Sequence, residues 1–523
     1  MKKNLFLGIE LGSTRIKSVL IDESFQPVAV GNHNWENRLE NGVWTYHLEE
    51  IWSGLQASYA DLAASYNKKF DEPLTSVSGI GLSAMMHGYI PMDSKNNVLT
   101  EFRTWRNTST GEAANILRES FGHNIPLRWS VAHLYQAILN GESHVKNVDF
   151  ITTLSGYVHY KLTGNKVLGI GDASGMFPID SKKNNYNANM VGIFDSLVIE
   201  KAFDWKIMDV LPKVLVAGED AGQLSKEGAK LLDPSGNLKP GIPFCPPEGD
   251  AGTGMVATHS VAARTGNVSS GTSIFAMVVL EKALSKVYPE LDMVTTPDGK
   301  PVAMVHCNNG TSDLDGWIQM FNEIVSAYNG QKAVIGDLYE KLFKVALEGS
   351  PDGGGLMACN YLSGEHNTGF DEGRPLFMRL PNSSFTIANF MRTLLLSVMA
   401  TLKLGMDILA EEGVTLTQLM GHGGFFKTEG VGQKLMAGAL NVPVAVMDNA
   451  GEGGAWGIAL LASYLNNNKI TLDAFLKDHV FANFPSTCTE PSLADVKGFA
   501  TFMKHYEACL KVERSAVDNF KDK

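Results

Sequence analysis

The sequence predicts an α/β protein of two domains. At 523 residues the chain is too long for one hydrophobic core, and 44% hydrophobic with 19% charged residues is typical of a folded chain. Short apolar strands alternate with helical patterns along most of the length, which favours parallel or mixed sheets. Two similar hairpins lie about half a chain apart, as an internal duplication of an α/β domain would produce.

Each predicted hairpin turns at glycine and hydroxyl residues between apolar, β-branched runs. The hairpins span residues 5–22 and 266–279, and their turns contain Gly12, Ser13, Thr14, Gly271 and Thr272. Such turns present backbone N–H groups and hydroxyls to phosphate oxygens. One turn of this kind is more often only a turn, but two in matching positions favour phosphate binding.

Composition argues against several classes of partner. A formal charge of −12 disfavours nucleic acid and anionic membranes. Five scattered cysteines without a Cys-x-x-Cys pair predict neither a zinc site nor a disulfide framework, and favour a reducing compartment. Glu10 interrupts the N-terminal apolar run, and a helix predicted at residues 390–409 has an uncharged apolar run, residues 393–402, that is too short to cross a bilayer. We therefore expect a cytoplasmic protein without a membrane or nucleic-acid partner.

Several common nucleotide and hydrolase motifs are missing from the sequence. It contains no G-x-x-x-x-G-K-[ST], no strand-linked G-x-G-x-x-G with a downstream acid, no H-E-x-x-H and no G-x-S-x-G. Glycines gather instead at residue 12, residues 249–254, residue 271 and residues 421–424. This distribution suits a ligand held between two domains.

Two acidic residues are candidates for chemistry beside these turns. Glu10 ends the first predicted strand, where its carboxylate could hold a hydrated Mg²⁺ next to phosphates. Asp250 lies in the glycine-rich stretch 247–255, where backbone and ligand can approach closely. Phosphoryl transfer to a hydroxyl needs a carboxylate that accepts its proton. The alternative role for Asp250 is to cap the following helix.

Four segments in this order resemble the FGGY family of carbohydrate kinases over nearly the whole chain. They comprise residues 8–14 and 249–252, residues 270–273, and an adenosine-like segment built from residues 421–427, 433–437, 442–444 and 452–457. The resemblance implies two ribonuclease-H-like domains of the actin/hexokinase-like ATPase type, at residues 1–260 and 261–523, with the active site in a cleft. It also implies ATP with Mg²⁺ as cofactor, and nucleotide contacts at Gly423, Gly424 and Phe425.

The sugar-side segments are similar to those of xylulose and other pentulose kinases. Residues 85–88, Met-Met-His-Gly, resemble the Gln-Met-His-Gly of xylulose kinases, which implies substrate contacts at Met86 and His87. Residues 157–164 and 172–175 resemble pentulose kinases as well. A further family segment implies sugar-lining roles for Trp105, Arg106 and Asn107. Without the resemblance, His87 and Trp105 are about as well explained as core residues.

Three departures from the family pattern leave alternatives open. Glu10 replaces the usual aspartate, Met85 replaces glutamine, and Ala251 follows Asp250 where relatives have Asn or Gln. We expect a kinase that transfers the γ-phosphate of ATP to a ketopentose hydroxyl, xylulose first, with Asp250 as the proton acceptor. The alternatives are a kinase for a hexulose, a deoxysugar or erythritol, a non-kinase actin-like ATPase, and an inactive family member. Assembly as a homodimer is left open.

Overall fold

The computed structural model describes residues 4–447 and 453–521, which form two compact units. The first unit contains Met1–Val261, Met293–Val302 and Asn449–Phe484. The second contains Ala262–Asp292, Ala303–Asp448 and Pro485–Lys523. The sequence places everything after residue 260 in the second domain, whereas two later segments pack with the first unit in the structure.

The strands and helices alternate along the chain as expected for an α/β protein. The strands are β1 (Phe6–Leu11), β2 (Arg15–Ile21), β3 (Pro27–Asn34), β4 (Arg38–Glu40), β5 (Val43–Thr45), β6 (Gly79–Ala84), β7 (Ile90–Met92), β8 (Phe150–Thr152), β9 (Val167–Gly169), β10 (Ile179–Asp180), β11 (Asn185–Tyr186), β12 (Lys213–Leu215), β13 (Glu248–Gly249), β14 (Thr265–Ser270), β15 (Ile274–Val279), β16 (Leu291–Thr295), β17 (Pro301–Cys307), β18 (Leu356–Cys359), β19 (Leu376–Arg379), β20 (Gln418–His422), β21 (Val444–Met447) and β22 (Ser486–Thr489). The helices are α1 (Leu48–Phe70), α2 (Gly111–Phe121), α3 (Ser130–Leu139), α4 (Leu154–Thr163), α5 (Ile170–Ala173), α6 (Ala188–Leu197), α7 (Ile207–Val210), α8 (Lys226–Leu232), α9 (Asp250–Ala257), α10 (Ser312–Asn329), α11 (Ile335–Ala346), α12 (Ile387–Glu411), α13 (Val431–Leu440), α14 (Gly453–Tyr464), α15 (Leu472–Phe475) and α16 (Leu493–Asn519).

The main sheet of the first unit has the order β13-β6-β1-β2-β3. β1, β2 and β3 pair antiparallel, while β6 pairs parallel with both β1 and β13. Because side chains alternate between the two faces of a strand, this sheet buries both faces. On one face, Ser18 lies against Ser58 of α1. Val19 is the next residue and points to the other face, where its cross-strand partner Gly8 lies against α14.

The main sheet of the second unit repeats this arrangement. Its order is β16-β17-β15-β14-β20-β21-β22, with β14 and β15 forming the antiparallel hairpin. β14 pairs parallel with β20, and β20 pairs parallel with β21. An antiparallel hairpin continued by two parallel strands therefore occurs in both units. The prediction of two ribonuclease-H-like α/β domains is confirmed.

Helix α12 is the core helix of the second unit. It has 25 residues, begins three residues before the predicted helix 390–409 and ends two residues after it, and is long and apolar enough by composition to cross a membrane. However, 72% of its apolar window is buried against protein. Arg392, buried on this helix, pairs with Asp495 of α16. The predicted helix is therefore confirmed to within three residues at each end, and its burial is typical of a core helix.

Candidate active site

The turn of the first hairpin is fixed by hydrogen bonds to its carbonyl groups. Trp35 donates its indole N–H to the Gly12 carbonyl at 2.7 Å and its backbone N–H to the Thr14 carbonyl at 3.1 Å. The Tyr46 hydroxyl donates to the Ser13 carbonyl at 2.6 Å. In a trans peptide the N–H points away from the C=O, so the N–H groups that follow these carbonyls face the opposite side. N–H groups that converge in this way are typical of anion-binding turns, and the phosphate-binding role of this turn stays a prediction.

Glu10 lies at the end of β1, opposite Lys17 of β2. Its carboxylate accepts the backbone N–H of Ala455, in the first turn of α14, at 3.2 Å. The pKa of Glu10 is raised to about 7, mainly by burial and secondly by the negative charge of Asp250. The Ala455 N–H, Lys17 and Arg15 oppose this shift. A carboxylate whose ionised form is disfavoured by burial and by a second negative charge is stabilised by a nearby cation.

Asp250 begins α9 directly after β13. Its Oδ1 accepts the backbone N–H of Met86 at 3.0 Å and that of Ala251 at 2.9 Å. Burial raises its pKa above the ordinary value, and the hydrogen bonds partly oppose this. The carboxylate is therefore tied to the segment that bears Met86. The N-cap of α9 is Gly249, without a side-chain cap, so the capping alternative for Asp250 was wrong.

Met86 and His87 follow β6 and lie next to the Asp250 turn. Met86 packs over Gly249, where an added Cβ would lie 2.9 Å from Met86 Cγ. His87 is buried and has a left-handed backbone, with φ of 69°. Its Nδ1 lies 3.3 Å from the Gly175 carbonyl, and its ring stacks near Trp129. A non-glycine residue held in this strained conformation is typical of functional sites.

Trp105 and Arg106 lie near the first hairpin. The half-buried Trp105 donates its indole N–H to the Ser13 hydroxyl at 3.3 Å. The exposed guanidinium of Arg106 lies over the Trp44 ring, 3.9 Å from its centroid, and 6.0 Å from that of Trp105. The structure therefore brings a predicted sugar residue, Trp105, into contact with a predicted phosphate residue, Ser13.

Asn107 is buried and has its amide engaged by the backbone. Its Oδ1 accepts the Trp44 N–H at 2.8 Å, and its Nδ2 donates to the carbonyls of Trp44 and Thr104 at 2.8 and 3.0 Å. These bonds hold the loop that bears Trp105. The same amide atoms would have to bind a sugar, and they are already bonded to the backbone. The geometry therefore favours a role for Asn107 in holding the loop rather than in contacting the sugar.

Two buried acids beside Asp250 were not singled out as chemical residues by the sequence. Glu248 accepts the backbone N–H groups of Gly171 at 3.2 Å and Asp172 at 2.9 Å. Asp172 accepts the hydroxyls of Thr153 and Ser155 at 2.7 and 2.5 Å. An acid two residues before Asp250 was visible in the sequence, but its partner lies 76 residues away along the chain.

The second hairpin is braced in the same way as the first. The Gly271 carbonyl accepts the N–H and the hydroxyl of Thr311, at 2.8 and 3.0 Å. The Thr272 carbonyl accepts the Gly310 N–H at 2.8 Å. Asn360 donates to the Gly310 carbonyl at 2.9 Å and so fixes this bracing loop. Sequence reasoning missed the loop because it follows β17, far from the hairpin in sequence.

The Gly423–Gly424 turn follows β20 in the same unit. Gly423 has a φ of 96°, and a Cβ there would collide with the Ser270 carbonyl at the end of β14. A Cβ at Gly424 would meet nothing within 4 Å. Phe425 is 1% exposed and packs in the core near Phe426. The Phe425 side chain is therefore a core residue, and the predicted nucleotide contact would have to use its backbone.

The last part of the adenosine-like segment lies elsewhere. Glu452 is outside the described residues. Gly453 begins α14, which belongs to the first unit, and Gly454 lies directly against the Glu10 carboxylate. The structure thus brings residues 453–457 to the Glu10 site, whereas Gly423 lies beside the second hairpin.

The Glu10 site fits a hydrated divalent cation. Within residues 4–447 and 453–521, no group of three or more His, Cys, Asp or Glu side chains is arranged to hold a metal. Mg²⁺ commonly keeps several waters and binds through one or two carboxylates together with substrate phosphates. Glu10, together with the charge of Asp250 that raises its pKa, supplies the negative charge that such an ion needs.

Comparison with known proteins agrees with this architecture. The N-terminal domain of the FGGY family of carbohydrate kinases matches residues 5–257, and its C-terminal domain matches residues 266–465. A xylulose kinase of Haemophilus influenzae is 23% identical over 96% of this chain and 98% of its own. Two solved structures from Lactobacillus acidophilus, a ligand-bound xylulose kinase and a gluconate kinase, each have a TM-score of 0.79 over 99% of both chains, at 17% and 16% identity. The chain belongs to the FGGY family of carbohydrate kinases.

Proposed function

We infer that this sugar kinase transfers the γ-phosphate of ATP to a hydroxyl of a ketopentose, with xylulose as the first candidate. The observation that carries the inference is the bond between the Met86 N–H and Asp250 Oδ1. It fixes the carboxylate beside the strained His87, where a substrate hydroxyl would have to lie. The named xylulose kinases of similar length support the choice of sugar.

Asp250 is the proposed proton acceptor. Because burial raises its pKa, the carboxylate is a stronger base than an exposed aspartate and takes the hydroxyl proton more readily. The acceptor side in this proposal is lined by Met86, His87, Trp105 and Arg106, and Asn107 holds the loop of Trp105 and Arg106. An aromatic face suits the C–H surface of a sugar, and the guanidinium offers donors to its hydroxyls.

The nucleotide side is proposed on the two braced turns. Ser13, Thr14 and the N–H groups around Gly12 would bind phosphate oxygens in the first unit, and Glu10 would hold Mg²⁺ through water. In the second unit, the turn at Gly271 and Thr272 would offer the Thr272 N–H, since the Gly271 N–H donates to the Ser273 carbonyl at 2.9 Å. Gly423, Gly424 and the backbone of Phe425 would approach the nucleoside. The bound Mg²⁺ would neutralise charge on the phosphates during transfer.

The substitutions on the sugar side keep another sugar or polyol as the second candidate. Met85 is 1% exposed and belongs to the hydrophobic core of the first unit, so the side chain in place of glutamine offers the substrate no hydrogen bond. Ala251 likewise lacks the amide that follows the catalytic aspartate in relatives. A pocket with two fewer amides suits a less hydroxylated substrate, such as a deoxysugar.

The test is ADP release by the purified protein with ATP and Mg²⁺ across ketopentoses, ketohexoses, deoxysugars, aldonic acids and polyols. Stimulation of at least tenfold by xylulose would support the proposal, and stimulation by another sugar would replace the substrate. ATP hydrolysis at the same rate without any sugar would favour an actin-like ATPase.

We place the enzyme in the cytoplasm. Sedimentation of the active protein would decide whether it forms a homodimer.

A further inference from the structure

Two segments on the proposed acceptor side of the first unit meet at one pair of residues. Tyr89 follows His87 and Gly88, which both have positive φ, and Arg103 precedes the loop that bears Trp105. The Tyr89 N–H donates to the Arg103 carbonyl at 2.9 Å, and the Arg103 N–H donates to the Tyr89 carbonyl at 3.2 Å. This backbone pair therefore links the segment of His87 to that of Trp105.

The packing around this pair leaves little freedom for either segment. Tyr89 is 0% exposed. At Gly88, an added Cβ would lie 2.7 Å from the Phe102 ring and 3.1 Å from the Arg103 carbonyl. Ser130 donates its hydroxyl to the Gly88 carbonyl at 2.5 Å. The chain before Tyr89 is therefore packed directly on the residues that precede the Trp105 loop.

A chain of side-chain contacts joins the same two residues a second time. The Arg103 guanidinium donates to both carboxylate oxygens of Glu142, at 2.5 and 3.3 Å. Glu142 Oε2 lies 3.5 Å from His144 Nδ1. His144 Nε2 in turn lies 2.9 Å from the Tyr89 hydroxyl. Together with the backbone pair, these contacts close a ring of four residues, Tyr89, Arg103, Glu142 and His144, which we call the Tyr89 ring.

The hydrogen-bond roles within the Tyr89 ring follow from its carboxylate. Burial opposes ionisation of Glu142, but the bonds from Arg103 outweigh it and hold the pKa of this carboxyl below its ordinary value. Burial also lowers the pKa of His144, so its imidazole is neutral near pH 7. An ionised carboxylate only accepts hydrogen bonds. We therefore assign the imidazole proton to Nδ1, which faces Glu142, and Nε2 then accepts the Tyr89 hydroxyl.

We propose that the Tyr89 ring positions the acceptor sugar by holding the His87 segment at a fixed distance from the Trp105 segment. The inference rests on the proposed function, in which both segments line the acceptor side. The four ring members are positioning residues, because they act through the backbones of the two segments. Asp250 is bonded to Met86 and not to the ring, so opening the ring should weaken sugar binding more than phosphoryl transfer.

The test is a double-mutant cycle on the KM for xylulose, or for the sugar that replaces it in the panel. Tyr89→Phe removes the hydroxyl that His144 accepts, and Glu142→Gln turns an amide N–H₂ toward a group that itself donates. Each variant opens the same ring, so each should raise the sugar KM about tenfold, with kcat and the KM for ATP within about threefold of wild type. The double variant should also show an increase of about tenfold, whereas independent effects would multiply to about a hundredfold.

Tyr66→Phe is the matched control. Tyr66 is a buried tyrosine of α1 in the same unit, and its hydroxyl also bonds a side chain, donating to Glu72 Oε1 at 2.8 Å. This variant should leave the sugar KM unchanged. Multiplying effects in the cycle, or an unchanged sugar KM in both folded single variants, would overturn the inference. A wild type without sugar-dependent activity would instead refute the proposed function.

Hydrogen exchange tests the Tyr89 ring without any substrate. The amide protons of Tyr89 and Arg103 make the backbone pair, so both should exchange about tenfold faster in Tyr89→Phe and in Glu142→Gln than in wild type. Tyr66→Phe should leave both rates unchanged. If one variant folds poorly, the other carries the result. Wild-type exchange of both amides in a folded ring variant would contradict the positioning role.

Discussion

At the scale of single residues, buried carboxyls make stability depend on pH in a defined direction. Glu365 accepts three N–H groups from Asn308 and Asn309, yet burial outweighs these bonds and raises its pKa to about 7. Its folded-state pKa is thus above the unfolded value. The stability that its proton contributes is complete below about pH 4.5 and is lost as pH rises through 7.

Glu365→Gln should therefore reduce the fall in stability across this window. Relative to wild type, the variant should gain on the order of 2 kcal/mol in unfolding free energy between pH 4.5 and pH 7.5. Urea unfolding at a series of pH values measures this difference. Glu340→Gln is the control, because Glu340 is exposed and its pKa is lowered by Lys344, so its effect should stay constant over the same range. A constant effect for Glu365→Gln as well would contradict the expectation.

Candidate residues could be named from the sequence where they follow a local motif. Glu10 and Asp250 lie at strand ends beside glycines, so both were proposed from the sequence, and their chemical roles stay predictions. Glu248 and Asp172 were not singled out, because they meet through a contact across 76 residues. The engaged amide of Asn107 could not be predicted either, since its partner Trp44 lies 63 residues away along the chain.

At the scale of elements, α14 packs closely on the main sheet of the first unit because glycines in the sheet leave room for it. A Cβ at Gly8 would collide with the Ala455 carbonyl, and one at Gly81 would lie 2.6 Å from Ile458. This contact places the first turn of α14 against Glu10. Packing of the helix and geometry of the candidate metal site are therefore coupled.

Gly8→Ala should destabilise the protein by about 1–3 kcal/mol, because the helix must move away from β1. Gly192→Ala in α6 is the matched control in the same unit, since a Cβ there meets nothing within 4 Å. It should stabilise the protein by about 0.5–1 kcal/mol through higher helix propensity. Thermal unfolding of both variants checks the opposite signs, and equal shifts would refute the packing explanation.

The second hairpin gives a corresponding prediction for nucleotide binding. Gly423→Ala would force an L-residue into a φ of 96° and into the Ser270 carbonyl, so ATP affinity should fall at least tenfold. Gly316→Ala in α10, where a Cβ meets nothing within 4 Å, should leave it unchanged. Calorimetric titration with ATP measures both. Normal affinity in a folded Gly423→Ala variant would exclude this turn from the nucleotide site.

At the scale of the whole molecule, the repeated hairpin predicted the repeated sheet. Both hairpins were placed within a few residues, because their turns and apolar runs are local signals. The return of residues 449–484 to the first unit was not predicted, since it depends on which sheet accepts α14. The FGGY segments indicated the family. The sugar was not determined, because its selection depends on a few side chains in a chain only 23% identical to a named xylulose kinase.

The most direct test of sugar phosphorylation by this protein compares wild type, Asp250→Asn and Asp233→Asn. Asp233 is a buried aspartate of the first unit whose carboxylate accepts the N–H groups of Ser235 and Leu238, so its variant controls for lost stability. We predict that Asp250→Asn lowers sugar-stimulated ADP release by roughly 10²–10⁴-fold with ATP affinity within threefold of wild type, while Asp233→Asn stays active when folded. Full sugar-stimulated activity in Asp250→Asn would contradict the assignment of the proton acceptor and with it the proposed mechanism.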